Sequence, residues 1–136
     1  MSAIKELLRA ETDGSLSFGD YELPQKTKLS DFEHEGDIYK VKTYKDITRL
    51  EKNDAFIYES VPGTAVFDFI QDDAEVSFDV EGIADTQITL ELEPEHEYAV
   101  IVDGDEIGTM MTNRGGKIAF SVELGEKAKK IIIKRV

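Results

Sequence analysis

The chain has 136 residues, 40% hydrophobic and 33% charged, with no cysteine and a formal net charge of −13. A chain of this size buries roughly two thirds of its unfolded surface, so one domain, or one compact domain with a small extension, folds without a staple. The missing thiols exclude disulfides, cysteine nucleophiles, iron–sulfur clusters and cysteine zinc sites, and the negative charge opposes nucleic acid, whose affinity rests on Lys and Arg releasing counterions.

Nine basic and thirteen acidic residues precede Pro62, and seven and sixteen follow, so the acidity is concentrated in the second part, at −9 against −4. Mutual repulsion of this kind keeps a protein soluble. The longest apolar run, Tyr98 to Val102, falls far short of the roughly 20 residues that span a bilayer. Met1 to Glu11 lacks the basic flank and apolar stretch of a secretory signal. The expectation is a cytoplasmic protein with no membrane partner.

In chain order, Ile4, Leu7 and Leu8 recur at helical spacing behind a capping Ser2, which predicts a short amphipathic helix over Ala3 to Ala10. From Ser15 the period becomes two, with Leu16 and Phe18 alternating with small residues until Pro24 ends the run, which reads as a strand. Residues 24–36 are polar and read as a loop. Asp37 to Lys42 reads as a strand in which apolar and basic residues alternate. Thr43-Tyr44-Lys45-Asp46 carries the spacing of a capping box, and Tyr44, Ile47 and Leu50 follow at helical intervals, predicting one or two helical turns. Ala55 to Val61 reads as a strand closed by Pro62-Gly63, a dipeptide suited to a type II turn. The regions 1–61 and 62–136 are read as a β-rich extension with its helix and a sandwich domain, joined in one compact unit.

After Pro62, strands alternate with turns: Val66–Ile70, Glu75–Val80, Gln87–Leu92, Tyr98–Val102, Glu106–Met111, Lys117–Leu124 and Lys130–Val136. Short strands at this spacing predict an antiparallel β-sandwich, mostly all-β apart from the helical segments. Asp103-Gly104 supplies the positive φ angles of a type I′ hairpin turn. Ile131-Ile132-Ile133 breaks alternation, so the last strand is apolar on both faces, which suits an interior position or a subunit interface.

Catalytic motifs are missing from the sequence. The two histidines, His34 and His96, stand among carboxylates in polar, turn-like stretches and read as exposed imidazoles. There is no nucleophile elbow, zinc-binding His pair or phosphate loop. Asp72-Asp73 and Asp103-Gly104-Asp105 carry oxygen donors without completing a calcium loop, and read as solvated turns. No metal or cofactor is expected. Tyr21, Tyr39, Tyr44, Tyr58 and Tyr98 sit on strand patterns and read as core or core-edge residues, and Met110-Met111 reads as packing.

Tyr98-Ala-Val-Ile-Val-Asp103-Gly104, with Thr112-Asn113-Arg114-Gly115-Gly116-Lys117 and Phe120-Ser-Val122, resembles the closing hairpins of accessory β-sandwich modules in bacterial polysaccharide-degrading enzymes. Tyr98, Asp103, Asp105 and Asn113 are the candidate binding residues. Over most of its length, notably in Leu16-Ser-Phe18-Gly-Asp-Tyr-Glu-Leu23, Tyr39-Lys-Val41-Lys-Thr43 and Tyr58-Glu-Ser-Val-Pro-Gly-Thr-Ala65, the chain is similar to small acidic bacterial proteins of uncertain function, some labelled endosialidase. Sialic-acid chemistry, as that label implies, calls for clustered arginines, whereas Arg9, Arg49, Arg114 and Arg135 are scattered. No catalytic position carries over. The expected function is a non-enzymatic interaction or assembly module that self-associates or binds another protein. The alternatives are a carbohydrate-binding module and, behind it, a glycosidase of endosialidase type.

Overall fold

The computed structural model describes residues 4–125 and 127–136. Among them run thirteen strands and no helix: β1 (Leu8–Ala10), β2 (Leu16–Phe18), β3 (Thr27–His34), β4 (Asp37–Tyr44), β5 (Ile47–Lys52), β6 (Ala55–Val61), β7 (Ala65–Gln71), β8 (Glu75–Glu81), β9 (Thr86–Glu91), β10 (Glu97–Val102), β11 (Asp105–Met111), β12 (Lys117–Val122) and β13 (Lys129–Arg135). They form a seven-stranded sheet in the order β1-β2-β7-β8-β13-β10-β11 and a six-stranded sheet in the order β12-β9-β6-β5-β4-β3. The pairings are antiparallel, and strands from both sides of Pro62 contribute to each sheet, since β2 pairs with β7 and β6 with β9.

The inward residues of the two sheets share one core, which gives a β-sandwich. Phe18 and Phe78 of one sheet meet Tyr58 of the other edge to face, with ring centroids 5.2 and 5.6 Å apart. Such pairs add about 0.5–1.5 kcal/mol each beyond the area they bury. The seven strands expected after Pro62 are all present. Asp103 and Gly104 take φ of 50° and 86° and bring Val102 opposite Asp105, as a type I′ turn requires. β13 lies between β8 and β10, with Ile131 and Ile133 fully buried.

Before Pro62 the structure corrects four expectations. Of the expected N-terminal helix, Ala3 lies outside the described residues; Ile4 to Leu7 form a turn, and Leu8 to Ala10 form β1. The helical spacing misleads because Ile4 and Leu8 serve different cores. Ile4 joins Tyr21, Ala65 and Phe67 outside the seven-stranded sheet, whereas Leu8 enters the main core opposite Phe18. Leu7, at φ 73°, makes the bend between them. The expected loop over 24–36 contains β3, an edge strand whose outward residues are polar and whose alternation is broken by a bulge between Leu29 and Phe32, where Asp31 has φ 59°.

The expected helical turns at Thr43–Leu50 are the β4–β5 hairpin, with Tyr44 opposite Ile47. Thr43 caps no helix; its hydroxyl points inward, accepts the N–H of Asp20 and meets Thr48 Oγ1 at 2.8 Å. At Pro62-Gly63 the Val61–Pro62 peptide is cis and Gly63 does not take the positive φ of a type II turn. Glycine is needed there for room, because a Cβ would lie 2.1 Å from the carbonyl oxygen of Tyr44.

The β4–β5 hairpin and the Pro62-Gly63 turn converge on one end of the sandwich. Thr48 Oγ1 donates to the carbonyl of Thr64 and accepts its N–H, so its remaining contact requires Thr43 to be the donor. Thr64 Oγ1 in turn meets Tyr58 Oη and Ser60 Oγ, each at 2.8 Å. Every hydroxyl in this buried network has a partner, which closes the end of the core with polar groups at little desolvation cost. Phe18, Gly19, Tyr58 and Thr64 meet here.

Candidate functional site

The four residues singled out as binding candidates do not converge. Tyr98 stands near the start of β10 and is 3% exposed, its ring in the core and its hydroxyl accepting the N–H of Glu93. Asp103 and Asp105 flank the turn at the other end of that strand, about 16 Å away at the usual rise per residue. Asp103 Oδ1 accepts the N–H of Lys130, and Asn113 Oδ1 accepts those of Gly115 and Lys117. Asp103 and Asn113 thus have structural tasks in turns. Asp72 behaves likewise, its carboxylate accepting the N–H groups of Ala74 and Glu75.

The structure instead opens a groove between the sheets at the end opposite the hydroxyl network. Five strands, β3, β4, β5, β7 and β9, have ends there, bringing His34, Tyr39, Lys52, Gln71, Asp72 and Glu91 to one place. Two adjoining cavities, about 290 and 330 Å³, share Lys52, Ile57, Gln71 and Asp72. Among the described lining residues the charge is strongly negative: Asp13, Glu35, Asp37, Asp72, Asp73, Glu75, Glu91 and Glu93 surround Lys52. Asp37 accepts a hydrogen bond from the Asn53 amide and faces Lys52 Nζ at 3.5 Å, and these contacts hold its carboxyl below the usual range, the Asn53 bond most strongly. The hydroxyl and N–H of Ser15 do the same for Asp13. These two carboxyls are suited to accept hydrogen bonds as anions, not to donate protons.

His34 corrects the expectation of an exposed imidazole. It lies in β3, its side chain is 13% exposed, and Nε2 donates to the carbonyl of Gly14 at 2.8 Å, which fixes the tautomer. Tyr39 and Tyr98 reach the groove only with their edges, since both rings are buried. Nothing local in the sequence marks these residues as neighbours. They meet because their strands end on the same side, a property of topology.

The outer face of the seven-stranded sheet carries a second feature. Ile101, Ile132, Ser77 and Ile70 are successive register partners on β10, β13, β8 and β7, so three isoleucines form a row across the sheet. Ile132 is the outward member of the last strand's apolar triplet, half-buried between Ile101 and Ser77, and Ile70 is 51% exposed. Charged rows flank it: Lys130 opposite Asp79 on one side and Lys134 opposite Glu75 on the other.

No protein-family model, curated protein or solved structure matches the chain.

Proposed function

We propose that the chain is a non-enzymatic β-sandwich assembly module that pairs with a second copy through the outer face of its seven-stranded sheet. The observation that carries this reading is the isoleucine row with its charged flanks. The arrangement is self-complementary. A two-fold axis parallel to the strands and passing between β8 and β13 lays each β13 over the other copy's β8. Lys130 then meets Asp79 and Lys134 meets Glu75, while Ile70 approaches Ile101. Face-to-face packing of this kind is how sheets within a sandwich bury their apolar rows. Light scattering is expected to give twice the chain mass for the wild type and a monomer for Ile132→Lys, with near-ultraviolet circular dichroism unchanged. A wild type that stays monomeric at millimolar concentration removes the reading.

Carbohydrate binding is the second reading, supported by the groove, whose carboxylates, Lys52 and Gln71 present hydrogen-bonding groups beside the apolar Ile57 and Leu92. Calorimetry with neutral oligosaccharides tests it, and Lys52→Ala with Gln71→Ala should abolish the heat if the groove is the site. The acidity of the groove repels anionic sugars and weighs against the endosialidase alternative. Arg9 and Arg49 weigh against it too, since they are engaged by Glu6 and Glu11 and by Glu51 and Glu59, far from a common centre.

A further inference from the structure

Cross-strand charges in this protein follow a rule, and one place breaks it. Lys52 faces Asp37, Lys117 faces Glu91, Lys130 faces Asp79 and Arg49 faces Glu59 across neighbouring strands, each pair within ion-pair distance. On the outer face of β3 and β4 the order is different. Lys28 is the direct register partner of Lys42, and Lys42 is the direct partner of Arg49. Lys40 lies two residues from Lys42 along the same face of β4, and Lys26, just before β3, is close enough for its field to act on Lys42. Among the described residues none of these four lysines forms an ion pair; Glu51, opposite Lys40, is engaged by Arg49 at 3.3 Å.

Like charges directly opposite on a sheet destabilise it, and a chain with net charge −13 has carboxylates to spare for pairing them. Lys42 registers the conflict: burial, followed by the fields of Lys26, Lys28, Arg49 and Lys40, lowers its pKa. Charge on an edge strand serves to repel other strands, which accounts for Lys28 on β3 and Lys26 just before it. It does not account for Lys40 and Lys42, which sit on the next strand inward.

We propose that the lysine array of β3 and β4 is a docking face for a short, carboxylate-rich polypeptide segment of a partner protein. The charge of the array sets the sign of the ligand. Its geometry sets the size: about 7 Å separates lysines along a strand and about 5 Å across strands, so four cations span a segment of a few residues. Its chemistry favours carboxylate over phosphate. The free cations are all lysines, point charges without the planar fork that grips phosphate in two places, and Arg49 is already engaged by two glutamates. Range matters as well. The remaining acidic surface repels a long polyanion, whereas a short segment within a screening length of about 8–10 Å feels mainly the array.

The inference concerns the opposite sheet from the self-association face and stands without it. The test is fluorescence anisotropy with a labelled hexaglutamate peptide and the full chain, at 20 and 300 mM salt, for the wild type and for Lys28→Glu with Lys42→Glu. Binding is expected at low salt, with a loss of at least tenfold in the double variant. Hexathymidylate should compete at least tenfold less well than unlabelled peptide. Because the reversals relieve repulsion, Lys42→Glu alone should melt about 2–4 °C higher than the wild type, which separates lost docking from lost folding. No binding at low salt, equal affinity in the double variant or a lowered melting temperature each overturn the proposal. Better competition by hexathymidylate overturns it in favour of nucleic acid.

Discussion

The two ends of the sandwich solve the same problem in opposite ways. Where the sheets part, polar backbone must meet either water or other polar groups. At one end Thr43, Thr48, Ser60, Thr64 and Tyr58 satisfy one another in a buried network. At the other, carboxylates, a lysine and a histidine line a groove open to solvent. The closed end is rigidly specified and intolerant of change. The open end is held by solvated groups and has latitude.

The largest expected effect breaks the closed end by volume. Gly63→Ala places a methyl group 2.1 Å from the Tyr44 carbonyl oxygen, and overpacking of that severity should cost about 3 kcal/mol in urea unfolding. At the open end Gly36 has φ 86° and nothing within 4 Å of an added Cβ, so Gly36→Ala should cost only about 1 kcal/mol, from backbone conformation alone. Equal losses would erase the contrast. Removing a hydroxyl is the next step down. Thr64→Val leaves Tyr58 Oη and Ser60 Oγ without their shared partner and should cost about 1–3 kcal/mol, whereas Asp73→Ala, on an exposed turn, should stay within about 0.5 kcal/mol.

The smallest effects come from pH, with opposite signs for carboxyls and phenols. Hydrogen bonds lower the carboxyl pKa of Asp13, Asp37 and Glu11, the last chiefly through the Ser17 hydroxyl. Their stabilisation is present above the ordinary carboxylate range and fades as pH falls through the lowered values. Burial raises the phenols of Tyr58 and Tyr21, and their contribution is present below the ordinary tyrosine range and fades as pH rises above it. Amide exchange, corrected for its intrinsic pH dependence, should therefore quicken first around Ser15 and Ile38 in acid and first around Thr64 in alkali. A uniform response would mean that the ends do not open independently.

The same contrast decides what the sequence makes legible. The strands after Pro62 were readable because Val76, Phe78 and Val80, or Ile118, Phe120 and Val122, each present an unbroken inward face between turns with strong chemistry of their own. β3 was not, because its solvent edge and its bulge hide the period. The hairpin at Lys45-Asp46 passed for a helix start because a threonine needed inside the core has the same spacing as one that caps. The groove was invisible for another reason. Its residues are ordinary members of separate strands, and only the shared direction of their strand ends assembles them. The lysine array was half visible, as the alternation of basic and apolar residues in Asp37 to Lys42, but its like-charge pairing depends on which strand lies beside it.

The bulges in the outermost strands bear on how the protein behaves when crowded. β3 loses register near Asp31 and β11 loses it near Gly108, while β1 offers only three residues. A foreign strand laid along any of these edges falls out of step within a few residues, so a growing cross-β stack finds no template there. β12, six residues without a shift against β9, is the straight rim among the described strands. If stored solutions ever turn fibrous, Lys117 to Val122 is where the first filament should take hold, and a proline at Ala119 or Ser121, on the solvent side, is the substitution that should stop it.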